Sequence, residues 1–155
     1  MQEQALEQQQ TGFTLIELVI AIVIIASLAV VVFIALNPVK RLQDARDAHR
    51  QADVESVFRA IHQYIVDKRN LPTGLVNDGI ERQLGTGTAV QCSPITSGSC
   101  NVLPNTPCID LSAPLGTYLK SMPLDPQTGT VVVSGYSMSV DSNHIVTVNA
   151  CGTED

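Results

Sequence analysis

The chain has no tryptophan, few aromatic residues and no basic patch. Of its 155 residues, 4% are aromatic and 15% are charged, and the formal net charge at pH 7 is −6. Nucleic-acid-binding proteins neutralise phosphates with clustered Lys and Arg, so this acidic chain is not expected to have nucleic acid as a partner. Neither a catalytic Ser/His/Asp or Cys/His arrangement nor a complete glycine-rich nucleotide loop is evident. The sequence therefore predicts no enzyme and no cofactor.

Charge is almost absent from one long segment, Phe13–Leu36, in which Glu17 is the single acid. About 24 residues of α-helix extend roughly 36 Å, enough to cross a hydrocarbon core of about 30 Å. A segment that is apolar around its whole circumference must be buried in lipid or in a helix bundle. A cleavable secretory signal is disfavoured, because its apolar region is about 7–15 residues long and follows a basic region. Residues 1–12 contain no Lys or Arg.

Glu17 is not expected in an ordinary membrane anchor, since placing a carboxylate at mid-membrane costs about 2.5–3.5 kcal/mol. Thr14 and Glu17 have the Ser/Thr-x-x-Glu spacing of a capping box. An acid in the first turn also suits the helix dipole. These local effects explain why Glu17 is tolerated at a helix start, but not why a helix destined for lipid carries it.

The segment GFTLIEL, from Gly12 to Leu18, and the apolar run after it resemble the processing and methylation site of type IV prepilins and type II secretion pseudopilins. The resemblance covers residues 11–36 and extends more weakly over the next helix. It implies that a prepilin peptidase cuts after Gly12 and that the new amino terminus, Phe13, is N-methylated. It also implies that Glu17 pairs with the amino terminus of a neighbouring subunit during assembly.

The function implied by this resemblance is that of a structural subunit of a type IV pilus-like filament. The precursor is expected to cross the cytoplasmic membrane once and then to polymerise through its N-terminal helix into an extracellular pilus. The implied partners are other copies of the chain, other pilins, the prepilin peptidase, the assembly machinery and the membrane. Two alternatives remain: a type II secretion pseudopilin in a periplasmic pseudopilus or a minor pilin, and a single-pass anchored binding domain that does not polymerise.

Two features depart from the family pattern. The leader is rich in Gln and Glu, whereas family leaders usually contain Lys or Arg, and the basic residues instead follow the apolar run. The helix breaker is Pro38, which predicts a kink near the membrane boundary rather than in the middle of the run. Basic residues more often mark the cytoplasmic side of a membrane span. The motif and the cysteine content nevertheless predict that the C-terminal part lies outside the cytoplasm.

The predicted organisation has four parts and an α+β fold. Residues 1–12 form a leader, 13–36 a transmembrane and filament-core helix, 37–69 its amphipathic continuation, and 70–155 a globular head. A small antiparallel sheet in the head is expected to pack on the second half of the long helix. The helix residues predicted to face this core are Val54, Phe58, Ile61 and Ile65, flanked by Val57 and Tyr64. Those interpreted as a solvated charged face are Arg46, Asp47, Arg50, Asp53 and Arg59.

Within the head, alternating residues predict strands over Thr130–Val140 and His144–Ala150. A short helix is predicted to open at Ser112 and to run to Met122. Residues 70–108 have little periodicity and are interpreted as a long surface loop held by cysteines rather than by a core.

The four cysteines, Cys92, Cys100, Cys108 and Cys151, do not have zinc-site spacing and are disulfide candidates in an exported head. Three pairings are possible, and we favour Cys92 with Cys100 and Cys108 with Cys151. No metal site is predicted, because Asp125, Asp141 and Asn143 do not make a full set of calcium ligands.

Overall fold

The structure, a computed structural model, describes residues 12–92 and 98–154. The predicted leader therefore lies outside the described residues, except for Gly12. The chain divides into two compact units, an N-terminal unit that ends at Arg41 and a head that begins at Leu42. The elements in chain order are α1 (Leu15–Leu36), α2 (Pro38–Lys68), β1 (Arg82–Gln83), α3 (Ser112–Leu115), β2 (Tyr136–Val140) and β3 (Val146–Ala150).

Helix α1 begins where Thr14 caps its first turn. The backbone of Thr14 is extended, and its Oγ1 accepts a hydrogen bond from the backbone N–H of Glu17 at 3.3 Å. The Thr14 half of the predicted capping box is thereby confirmed. Farther along, the hydroxyl of Ser27 donates to the carbonyl of Ile24 at 2.8 Å. The polar group of Ser27 is thus satisfied within the helix and does not interrupt its apolar surface.

The predicted interruption near Pro38 is confirmed, with the break one residue earlier. Asn37 adopts a left-handed conformation with φ 40° and ψ 73°, and its N–H donates to the carbonyl of Ile34 at 3.4 Å. Proline disfavours helical backbone in the residue before it and is well suited to the first position of a new helix. Asn37 therefore ends α1, and Pro38 begins α2.

The head contains a three-stranded antiparallel sheet in the order β1-β2-β3. The central strand places Met138 opposite Arg82 on one side and opposite Val148 on the other. The sheet packs on α2, so the predicted α+β fold with a sheet against the helix is confirmed. Residues from both elements share the buried core, namely Val57, Ala60, Ile61, Tyr136, Met138, Val140, Val146, Val148 and Ala150.

Strands β2 and β3 are shorter than predicted because turns occupy their expected starts. The N–H of Thr130 donates to the carbonyl of Val133 at 2.8 Å, and Gly135 has a φ of 85°. A Cβ at Gly135 would lie 2.5 Å from the Cβ of Asp125, so this close approach requires glycine. His144 likewise lies in a turn with a φ of 64°. Helix α3 is also shorter than predicted and ends at Leu115.

Two predictions about the core are wrong. Phe58 is 39% exposed and contacts His62 at a ring distance of 4.2 Å, while Val57 and Ile61 are fully buried. The buried stripe of α2 is therefore rotated towards Val57. The segment 70–108 does contribute to the core, since Leu84 is fully buried and follows β1, which extends the sheet beside β2. A strand of two residues is too short to show a periodic pattern in the sequence.

Candidate functional site

The residues of the predicted processing site are accessible at the start of α1. No atom lies within 4 Å of the position that a Cβ on Gly12 would occupy, and Phe13 is 80% exposed. Thr14, which follows, is extended, and the helix begins only at Leu15. The bond between Gly12 and Phe13 thus lies before the start of the helix. Glu17 is also exposed, in the first turn of α1.

Beyond Glu17 in its first turn, the surface of α1 is apolar, and no other part of the described chain buries it. None of its residues is buried, and its apolar stretch is the one among the described residues long and apolar enough to span a membrane. Soluble monomers rarely expose contiguous apolar patches larger than a few hundred Å². Fully burying each aliphatic side chain is favourable by roughly 1.5–3 kcal/mol. This helix therefore requires lipid or other helices around it.

A buried charge cluster centred on Arg50 links α2 to other parts of the head. Arg50 is 1% exposed, and its Nε donates to Oδ2 of Asp125 at 2.6 Å. Its Nη1 donates to Oδ1 of Asp47 at 2.7 Å and to Oε1 of Glu154 at 3.4 Å. The interpretation of Arg50 as part of a solvated face is therefore wrong. Carboxylates from distant parts of the sequence compensate its charge, and this makes its burial tolerable.

The carboxylate of Asp125 is fully engaged. Besides Arg50, it accepts hydrogen bonds from the backbone N–H groups of Gln127 and Thr128, both at 2.9 Å. Burial raises the pKa of Asp125, but the hydrogen bonds from Arg50 and the two backbone groups outweigh it and lower the pKa to about 2. The hydrogen bond to Asp125 in turn raises the pKa of Arg50 above its usual range. Both groups are therefore charged at neutral pH.

The same cluster fixes the C-terminal segment on α2. Arg46 donates to both oxygens of Glu154, from Nε at 2.7 Å and from Nη2 at 2.5 Å. The backbone N–H of Glu154 donates to Asp47 at 3.2 Å. The hydrogen bond from Arg46 lowers the pKa of Glu154. The charged face of α2 thus binds the end of the chain instead of solvent alone.

A second polar link joins α2 to the sheet. The hydroxyl of Tyr136 donates to Oδ2 of Asp53 at 2.7 Å, and Nδ1 of His49 lies 3.0 Å from the same oxygen. Burial, and then the bond to Asp53, raises the pKa of Tyr136, which keeps the phenol protonated as a donor. Asp53 is therefore not simply solvated either. Arg59, by contrast, lies on the surface as predicted, with its side chain 74% exposed and paired with Glu55.

All four cysteines form disulfides, but the favoured pairing is wrong. Cys92 pairs with Cys108, and Cys100 pairs with Cys151. Cys151 directly follows β3, where its N–H donates to the carbonyl of Gly135 at 2.9 Å. The Sγ of Cys100 lies 2.9 Å from the hydroxyl of Ser137 on the neighbouring strand, so the sheet brings these two cysteines together. The prediction of a bridge from Cys92 to Cys100 relied on their closeness in sequence, whereas the observed pairing depends on contacts between residues far apart in sequence.

The acidic residues weighed as calcium ligands have other partners. Asp125 is committed to Arg50, and Asp141 accepts hydrogen bonds from the backbone N–H groups of Asn143 and Ile145, both at 2.8 Å. Residues 12–92 and 98–154 contain no group of three or more His, Cys, Asp or Glu side chains that could hold a metal ion.

The buried cluster was missed from the sequence, although it left a signal there. Arg46 and Arg50 are like charges at i,i+4 spacing, which destabilises an isolated helix. Such a pair is favourable only when acids from elsewhere in the fold lie between the two side chains. Glu154 fills this role, since it contacts both arginines.

The chain thus combines an exposed apolar helix, preceded by a Gly-Phe junction, with an α+β head that contains two disulfides. Residues 8–33 match the family model described as the prokaryotic N-terminal methylation motif. This match supports the resemblance of the N-terminal segment to type IV pilins and pseudopilins. No curated protein and no solved structure matches the chain.

Proposed function

We propose that the chain is a structural subunit of a type IV pilus-like filament. It is inserted in the cytoplasmic membrane as a precursor, cleaved after Gly12, methylated at Phe13 and polymerised through α1. The observation that carries the proposal is α1 itself, because beyond Glu17 it is apolar on all sides and because none of its residues is buried. A helix of this kind is stable in lipid before assembly and in a bundle of like helices after it.

Glu17 gives this assembly its register. After cleavage, Phe13 carries a new ammonium group four residues before Glu17. Either charge alone is costly in an apolar bundle, whereas a pair formed between adjacent subunits offsets the cost and fixes their relative position. The exposure of both residues in the isolated chain leaves them available for such a pair.

Mass spectrometry of filaments sheared from the surface of the native cell tests the proposal. The expected result is an N-terminal fragment that begins at Phe13 and carries one added methyl group. A Phe13 form found only in the membrane fraction would instead support a secretion pseudopilin or a minor subunit. Retention of residues 1–12 in every fraction would contradict processing and leave a plain anchored domain.

A pair of substitutions at Gly12 tests the processing step by itself. Because the Cβ position of Gly12 is open, neither Gly12→Ala nor Gly12→Val should disturb the fold. We expect the small alanine to permit cleavage and the β-branched valine to block it, as seen by the loss of the leader mass. Cleavage of Gly12→Val at the wild-type rate would contradict a peptidase that reads this position.

A further inference from the structure

Two basic side chains just beyond α1 form no ion pair with any acid in residues 12–92 and 98–154. Among the described residues, Arg46, Arg50, Arg59 and Arg82 each form an ion pair with a carboxylate. No ion pair of the described chain includes Lys40 or Arg41, and both side chains are exposed in the first turn of α2. Lys68, Arg69 and Lys120 are also outside these ion pairs, but they belong to the head, far along the chain from α1.

The distance of Lys40 and Arg41 from the end of α1 corresponds to the thickness of the headgroup layer of a bilayer. The 22 residues of α1 extend roughly 33 Å, close to the hydrocarbon thickness of about 30 Å. The headgroup layer adds roughly 5–8 Å on each side. Lys40 and Arg41 follow the end of α1 by four and five residues, on the order of 6–8 Å in helical chain. When α1 spans the hydrocarbon, these two cations lie at the depth of the lipid phosphates.

Glu17 marks the opposite limit of the same span. It lies in the first turn of α1, so its carboxylate is near the other hydrocarbon boundary when α1 is inserted. The two ends of the span therefore have charges of opposite sign. Before cleavage creates the ammonium group of Phe13, the end of the span that attracts an anionic surface is the one with Lys40 and Arg41.

We propose that Lys40 and Arg41 form a binding site for the headgroups of anionic phospholipids, which holds the precursor at a fixed depth until it is extracted into the filament. The proposal rests on the membrane insertion of α1 in the proposed function. A guanidinium forms paired hydrogen bonds with phosphate oxygens, and an ammonium contributes a compact positive charge. The left-handed Asn37 and the new helix start at Pro38 present both side chains immediately outside the apolar segment.

The absence of tryptophan provides a clean reporter for this site. A single Leu36→Trp substitution places the only tryptophan at the end of α1, at the expected membrane interface. The full chain with this substitution is reconstituted in phosphatidylcholine vesicles that contain either brominated phosphatidylcholine or brominated phosphatidylglycerol. Quenching by the two lipids gives the preference of the site for the anionic headgroup.

We expect a preference for phosphatidylglycerol of about fivefold for each basic side chain, which falls in high salt. The preference should fall close to one when Lys40→Gln and Arg41→Gln are combined in the reporter chain. The matched control combines Lys68→Gln with Lys120→Gln, removes the same charge from the head and should keep the preference. The tyrosine circular dichroism of the head verifies that each variant is folded.

Three results would overturn the proposal. An unchanged preference in the Lys40→Gln/Arg41→Gln chain would show that these side chains do not bind the headgroup. An equal loss in the control would assign the effect to net charge. Absence of quenching by either lipid would refute both this site and the membrane insertion of α1, which separates a failure of the proposed function from a failure of the headgroup site alone.

Discussion

Replacing Arg50 by methionine should destabilise the head more than any surface substitution on α2. Methionine keeps much of the length of the side chain but removes the charge that Asp125 faces at 2.6 Å. Asp125 is 4% exposed, so its carboxylate is left buried with no cation beside it, and its remaining donors are the backbone N–H groups of Gln127 and Thr128 and the Thr128 hydroxyl. The variant therefore creates an uncompensated buried charge.

Two lines of reasoning give the magnitude. Removing one partner of a buried ion pair costs about 3–5 kcal/mol in general. The pKa of Asp125 lies at about 2 rather than at its ordinary 3.8, which corresponds to about 2 kcal/mol of stability at neutral pH, and this figure includes the backbone donors that the variant keeps. Because the backbone donors remain, we expect a loss near the lower end, about 3 kcal/mol. That is a large fraction of the roughly 5–15 kcal/mol that stabilises a domain.

Urea unfolding of the full chain in detergent micelles measures this loss. All three tyrosines, Tyr64, Tyr118 and Tyr136, belong to the head, so tyrosine circular dichroism reports head unfolding alone. The matched control is Arg59→Met on the same helix, whose pair with Glu55 is exposed. We expect this control to cost less than about 0.5 kcal/mol.

The pH dependence gives a second test of the same reasoning. A carboxylate with a lowered folded-state pKa stabilises the head above its unfolded pKa, near pH 4, and loses that contribution as the pH falls towards 2. In Arg50→Met, burial should raise the pKa of Asp125. Lowering the pH should therefore neutralise the buried carboxylate and stabilise the variant, while it removes the favourable ion pair and destabilises the wild type. The stability difference should therefore shrink between pH 7 and pH 3. An equal effect of Arg50→Met and Arg59→Met, or a difference independent of pH, would refute a buried pair.

Two further predictions concern assembly and the disulfides. Glu17→Gln should lower filament yield by at least about tenfold, since an unpaired ammonium in an apolar bundle costs a few kcal/mol, while head unfolding stays at the wild-type midpoint; unchanged yield would reject the register role. Replacing Cys100 and Cys151 by serine should destabilise the head by about 1 kcal/mol more than replacing Cys92 and Cys108, because the loops span 51 and 16 residues. Urea midpoints rank the two pairs, and the opposite ranking would contradict a loop-entropy origin.

The features that could be predicted from sequence depend on neighbours along the chain. The cap at Thr14, the extent of α1 and the break before Pro38 all follow from residues within a few positions of one another. The buried pair of Arg50 and Asp125 joins residues 75 apart, and no local pattern encodes it. The predicted disulfide pairing was wrong for the same reason. Strand β1 was missed because two residues cannot show a period.

The stabilising groups of the head join residues of the head itself. The ion pairs of Arg50 and both disulfides connect positions after Leu42, whereas α1 has no buried residue and satisfies Ser27 within its own backbone. Stability and assembly should therefore respond to different substitutions. Glu17→Gln should lower filament yield without changing the unfolding of the head, and Arg50→Met should lower yield only near the temperature at which the head unfolds. Loss of filaments in Arg50→Met well below that temperature would show that the charge cluster also takes part in contacts between subunits.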